Sequence, residues 1–273
     1  MTTAALTRAA GPAEGRYGFR TVAQMEWLKL RSIRSTGWVL LVFAAGMIGL
    51  AILVMAHQHW ATMSAADRAS FDPTNDSYAG LAIGQLAIGV LGVMAVTSEF
   101  SSGMIRATFA AVPRRPQVLA AKAAVVGAVT LVAGEIMAFV AFWIGEAVLR
   151  SPAPHATLGQ PGVLRAVLMA GAYPALIGLI GLGLGALIRH TAGAISAVVG
   201  VLFVLPLILL PLGESIQNSI GQFMPMLIAE NSLTAVKPVA QHSLSPGVGF
   251  AVLCAYAAAA LAAGGWALAR RDV

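Results

Sequence analysis

Charge is what this 273-residue chain has least of. Asp, Glu, Lys and Arg together make up 10% of it, where a soluble domain carries about 25%, so the polar surface of a water-soluble fold cannot be assembled. Cysteine occurs once, as Cys254 inside an apolar run. That excludes an intrachain disulfide framework and a cysteine-built metal site, and leaves a small buried hydrophobe as its simplest role. No Gly-Lys pair occurs anywhere, which excludes the phosphate loop G-x-x-x-x-G-K-[ST]; H-E-x-x-H is missing too. The five histidines, His57, His59, His155, His190 and His242, fall at the ends of apolar runs or between them. His57 and His59 read as polar residues at a membrane interface rather than a metal pair. Within the apolar runs no Ser/His or Asp/Asp pairing supplies a nucleophile with a base, so nothing argues for an enzyme.

What is present is apolar. The set AVILMFWYC reaches 58% before 29 glycines are counted, and mean hydropathy is +0.82. Stretches 35–66, 77–98, 166–188, 191–213 and 238–269 contain no Asp, Glu, Lys or Arg, and 123–149 contains only Glu135 and Glu146. About 20 apolar residues cross a bilayer as a helix, and none of these runs alternates as a barrel strand would. The expected fold class is an all-α integral membrane protein of six transmembrane helices, near 37–56, 79–97, 123–149, 166–188, 194–212 and 248–269. The first run reads as a permanent span: 36 residues precede it, more than a signal peptide carries.

Of the 17 Lys and Arg residues, thirteen fall on the side of the two termini, and Arg68, Arg150, Arg165 and Lys237 fall on the other. The positive-inside bias therefore expects both termini in the cytoplasm of a plasma-membrane protein. It also absorbs the net charge of +6, so nucleic acid is not an expected partner.

Outside the spans, 1–16 has the composition of a disordered N-terminus. Over 17–36, Phe19, Val22, Ala23, Trp27, Leu30 and Ile33 recur at helical spacing, with Arg20, Gln24 and Arg31 on the other side. This suits an interfacial amphipathic helix in the headgroup plane, with a corner at Ser35, Thr36 and Gly37; a plain extension of the first span is the other reading. The loop 98–122 is long and basic. Residues 104–111 suit a short helix stopped by Pro113, with Pro116 opening the next. It is either a solvated loop or a docking element. In the external segment 213–247, the semi-apolar stretch 216–229 suits a re-entrant helix.

Glu135 and Glu146 are eleven residues apart, about three helical turns, and share a stripe with Ala138, Phe139 and Phe142. An ionisable group at mid-membrane costs roughly 2.5–3.5 kcal/mol to insert. Two readings fit: a translocation path lined by Glu135, Phe139, Phe142 and Glu146, or a Glu135 that bonds a neighbouring helix beneath a Glu146 that reaches outward. Gly80/Gly84 and Gly181/Gly185 have the small-xxx-small spacing of close helix contacts, while Pro174, Pro206 and Pro211 can kink spans four and five.

Two stretches, AQMEWLKLRSIRSTGWVL and EFSSGMIRATFAAVPRRPQVLAAK, together with six spans at this spacing, resemble the permease subunits of type-two ABC exporters, especially the actinobacterial kind. Met104 departs from the small hydroxyl residue common in that family. The resemblance implies that 19–34 is the connecting helix, with Glu26, Trp27, Lys29 and Arg31. It implies that the loop holds a coupling helix docking in an ATPase subunit, with Glu99, Arg106, Pro113, Arg114 and Arg115 as contacts or braces. It further implies two ATPase subunits, a second permease copy or a sister permease, and no cofactor on this chain, with ATP and Mg²⁺ held by the ATPase. A proton-coupled secondary transporter using Glu135 and a non-transporting anchor or sensor module are the alternatives. No internal repeat supports the first of these.

Overall fold

The structure, a computed structural model, describes residues 17–213, 219–235 and 243–271; the N-terminal stretch 1–16, expected to be disordered, lies outside them. Helix α1 (Phe19–Ser32) leads into six long apolar helices: α2 (Arg34–Ala56), α3 (Leu81–Ser101), α5 (Arg115–Val148), α6 (Val163–Ile188), α7 (Thr191–Leu209) and α9 (Pro246–Arg270). Two short helices are inserted, α4 (Met104–Ala111) between α3 and α5, and α8 (Pro225–Leu233) between α7 and α9. No strand occurs among the described residues. The chain is an all-α protein with six helices fit to cross a membrane.

Several boundaries move from their expected places. The corner between α1 and α2 is Ile33, at φ −85° and ψ 117°. Ser35, Thr36 and Gly37 lie inside α2, in a first turn whose free backbone N–H groups tolerate polar residues. Helix α5 begins at Arg115, eight residues ahead of the expected 123. At a rise of about 1.5 Å per residue its 34 residues extend about 51 Å, well past a hydrocarbon core of about 30 Å. The surplus is its basic first two turns, with Pro116 where a missing N–H costs nothing. Helix α4 has the expected bounds, and Gly103, at φ 73°, makes the left-handed link that joins it to α3.

Pro174 is absorbed within α6 without a break. Pro206 acts differently: the backbone widens to a π-helical turn over Gly200–Val204 just before it, and a 3-10 turn at Leu210–Leu212 ends the span.

Helix α6 is the hub. In its most apolar window 67% of residues are buried, against 22% for α2, α7 and α9. Glycine brings its neighbours in. A side chain at Gly92 of α3 would overlap the Gly178 carbonyl of α6, and one at Gly181 would overlap the carbonyl of Gly89. The expected Gly80 and Gly84 face Met47 and Phe43 of α2. Large apolar side chains face outward on the remaining helices, among them Trp38, Leu41, Val132, Leu207 and Val248; a bilayer is what covers such a surface. The five tryptophans, Trp27, Trp38, Trp60, Trp143 and Trp266, all fall towards one end or the other of the spans, as interfacial belts require.

The two ends differ in charge. Helices α1 and α4, the start of α5 and the end of α9 form a basic face. The opposite face holds the short helical turns Ala65–Ser70 and Pro73–Asp76, helix α8, and the carboxylates of Asp67, Asp72, Asp76, Glu146 and Glu230.

Candidate functional site

On the basic face, four charged side chains from three helices meet in the protein interior. Lys122 of α5, 3% exposed, donates from Nζ to Glu26 Oε2 of α1 and to Glu99 Oε1 of α3, each at 2.5 Å. Lys29 of α1 donates to Glu26 Oε1 at 2.9 Å and Glu99 Oε1 at 3.0 Å. Thr108 of α4 receives from Lys29 at 3.4 Å and donates to Glu99 Oε2 at 3.4 Å. A third bond from Lys122 reaches the Ala95 carbonyl at 3.2 Å. Two carboxylates and two ammoniums balance in charge, and every one has a partner, the condition under which burying ions is tolerable. Burial works against the Lys29 ammonium, but hydrogen bonds and attraction from Glu26, then Glu99, outweigh it and hold its pKa above the ordinary lysine value.

Packing fixes the same elements. Val22 of α1, Val112 after α4, and Val118 and Ala121 of α5 form one buried cluster. Ile105 and Thr108 are the buried residues of α4. A cavity of about 390 Å³ opens beside the ions, walled by Leu30, Ile33, Val125 and Val126.

The residues expected to couple to a partner separate into braces and exposed groups. Glu99 is 5% exposed and belongs to the ion cluster. Arg115 is turned inward, donating to the carbonyls of Leu268 and Arg271 and lying over the Phe109 ring at 5.4 Å. Arg106, Pro113 and Arg114 are exposed. On α1 the expected faces are redrawn. Val22, Glu26 and Leu30 form the buried seam, whereas Phe19 and Trp27 are 49% and 46% exposed. Arg31 is exposed as expected. Glu26 enters the seam because Lys122 is there to meet it. Lys122 and Thr108 were missed as site residues, although both lie in a stretch that carries the resemblance. A second signal for Lys122 was its place as a lone cation at the start of a long apolar run.

Within this chain the expected path residues have different surroundings. Phe142 is 2% exposed and packs in the main core. Phe139 is partly buried against that core, its ring 5.8 Å from Trp143. The Glu135 carboxyl is lodged against the backbone of Gly171 in α6, where Gly134 faces the Gly171 carbonyl. Its Oε2 has no hydrogen-bond partner among the described residues. Glu146 works at the opposite face, accepting from His155 Nδ1 at 3.1 Å and the Ala156 N–H at 3.0 Å. The re-entrant reading of 216–229 falls partly outside the described residues; what is described there is the turn Gly221–Phe223 and the start of α8. Among the described residues no group of His, Cys, Asp or Glu is placed to hold a metal ion.

No curated protein matches the chain significantly. The family model described as ABC-2 family transporter protein matches residues 22–189, a stretch running from α1 through the end of α6 and containing the whole ion cluster. The match covers more than half of the chain, which therefore belongs to the ABC-2 family of transporter membrane proteins, multi-pass permeases that work with ABC ATPase subunits.

Proposed function

We propose that this chain is the membrane-spanning permease subunit of an ATP-driven exporter of the type-two, actinobacterial kind, with its basic face in the cytoplasm. The observation that carries the reading is the mounting of α4. Arg106, Ala107 and Ala110 are exposed on it, while Ile105 and Thr108 on its other side are buried against a charge-balanced cluster that joins α1, α3 and α5. A short helix free on one side and tied to three others on the other is suited to pass a push from a partner into the spans.

ATP and Mg²⁺ act on the partner ATPase. Two ATPase subunits close on nucleotide and press on α4 of each of two permeases, either two copies of this chain or one with a sister chain. The paired helices then rock open towards the outside. The positive-inside distribution of cations supports the orientation. Burial of Phe142 and the lodging of Glu135 against Gly171 support a cargo route between subunits rather than through the interior of one.

Arg106→Glu tests the reading. It leaves folding and membrane insertion unchanged and either abolishes co-purification of the ATPase or separates ATP hydrolysis from cargo movement. Normal complex recovery together with normal transport contradicts the proposal.

A further inference from the structure

The corner between α1 and α2 is bordered by two tryptophan–arginine pairs that mirror one another. Trp27 and Arg31 stand four residues apart in α1, and Arg34 and Trp38 four apart in α2, the spacing at which helical side chains share a face. All four are exposed, the indoles by 46% and 67%. Arg31 and Arg34 are three positions apart across Ile33, so their Cα atoms lie within about 11 Å of each other. Neither meets a carboxylate among the described residues; the nearby Glu26 is turned to Lys29 and Lys122. Beyond Trp38 the exposed stripe of α2 continues through Leu41, Val42 and Ile52 along the span, a surface that lies in hydrocarbon and that a soluble protein does not reach. Arginine and tryptophan at the head of such a stripe stand at the level of the lipid phosphates.

A separate observation is the cavity beside the ion cluster. Its lining includes Ser32 and Ile33, the two residues between the arginines, and both are exposed and so stand at its mouth. The ions on one wall are turned to one another. Three serines apart, the rest of the wall is apolar, from Leu30, Ile33, Ala95, Met104, Val125 and Val126. At about 390 Å³ it falls within the roughly 300–1,000 Å³ of sites that hold small organic ligands. An apolar room whose mouth lies between two cations fits an amphiphile with an anionic head, the phosphate outside and the hydrocarbon within.

We propose that this corner binds one anionic phospholipid of the adjoining leaflet. Its phosphate lies between Arg31 and Arg34, the two indoles flank the headgroup, and part of an acyl chain enters the cavity. A zwitterionic lipid brings its own cation to the same place and gains less. Each arginine near an anionic headgroup contributes about five-fold in affinity. Binding requires neither the ATPase nor transport; only the assignment of that leaflet to the cytoplasmic side rests on the function proposed above.

The test uses the full chain in detergent micelles, with native mass spectrometry counting bound lipid. Dioleoylphosphatidylglycerol fills one saturable site at least about five-fold more tightly than dioleoylphosphatidylcholine. Arg31→Gln combined with Arg34→Gln lowers phosphatidylglycerol affinity at least about ten-fold, Arg31→Lys combined with Arg34→Lys keeps most of it, and Arg150→Gln, an exposed cation at the opposite face, changes nothing. Both arginines are exposed, so an unchanged melting temperature in the glutamine pair separates lost binding from lost fold. The chainless sn-glycerol 3-phosphate does not displace the lipid, and phosphatidylglycerol with a photoreactive acyl chain labels residues 95–104 or 122–126. Equal affinity for the two lipids, displacement by glycerol phosphate, wild-type affinity in the glutamine pair, or a label confined to other parts of the chain overturns the site. A photoreactive residue in place of Leu41 reacts with lipid; reaction with a second copy alone means that protein covers the stripe, and also overturns it. Intact binding in a chain whose termini prove to be external leaves the site standing and counts against the orientation proposed above.

Discussion

Helix α5 holds two of its ionisable side chains, Lys122 and Glu135, in opposite ways. Near its start, Lys122 meets Glu26 and Glu99 at 2.5 Å, with Lys29 and Thr108 completing the set. Thirteen residues further along, Glu135 lies against the Gly171 backbone with one carboxyl oxygen unbonded among the described residues. The first arrangement draws on three helices for its charges and a fourth for a hydroxyl, so no member can move without the others. The second joins two helices through packing of Gly134 on Gly171. A charge-balanced cluster acts as a joint between elements, whereas a lone carboxyl in a glycine seam is a tenant of that seam.

The largest expected effect falls on the joint. Lys122→Met leaves two buried carboxylates with only the partly exposed Lys29 to balance them, and breaking a buried pair in this way costs about 3–5 kcal/mol. Thermal unfolding in detergent measures the loss. A cycle built from Lys122→Met and Glu99→Gln gives strong coupling, with the double variant less damaged than the sum of the singles. Additive losses break the comparison.

Next is the packing that both regions rely on. Gly92→Ala drives a methyl group into the Gly178 carbonyl, and parting α3 from α6 costs about 1–3 kcal/mol. Gly49→Ala, where a Cβ meets open space, is the control and shifts the melting temperature little.

A third carboxyl sharpens the contrast through pH. Burial first, and the neighbouring Asp72 second, push the Asp76 pKa up to about 6. The folded protein thus holds this proton more tightly than the unfolded chain. The resulting stability is present in full below the unfolded value of 3.8, and is lost as pH rises through about 6. With part of the group open to solvent, the contribution is reduced by screening to about 1 kcal/mol. Asp76→Asn flattens the fall in melting temperature between pH 5 and pH 7; an unchanged slope removes Asp76 from the explanation.

The smallest effect belongs to Glu135. Glu135→Gln keeps the shape against Gly171 and removes no ion pair, so unfolding shifts by less than about 0.5 kcal/mol. A loss comparable with that of Lys122→Met shows that the two regions are not different in kind.

The spans were legible because the bilayer imposes a length and excludes charge, and both are properties of the sequence itself. Helix α4 was legible for a local reason, with Pro113 after it and Pro116 opening the next helix. The early start of α5 was not, because a search for charge-free runs stops at Lys122. A helix continues through a charge wherever partners wait for it, and those partners lie 96 and 23 positions away. The same limit hid the burial of Glu26, which a helical wheel cannot assign to a buried seam without knowing what stands opposite. The burial of Phe142 was not legible because spacing specifies a face of α5 but not which helix covers it. Arg115 sits beside Arg114 in sequence, yet only Arg115 finds the carbonyls at the end of α9.

The account turns on α4 being the surface that the ATPase grips. A photoreactive residue at Ala107, exposed on α4, and another at Val132, 58% exposed on α5, compare the two surfaces directly in cells that co-express the cognate ATPase. Position 107 is predicted to cross-link to the ATPase and position 132 to lipid alone. Cross-linking of position 107 to lipid only, or to reagents confined to the cell exterior, contradicts the account.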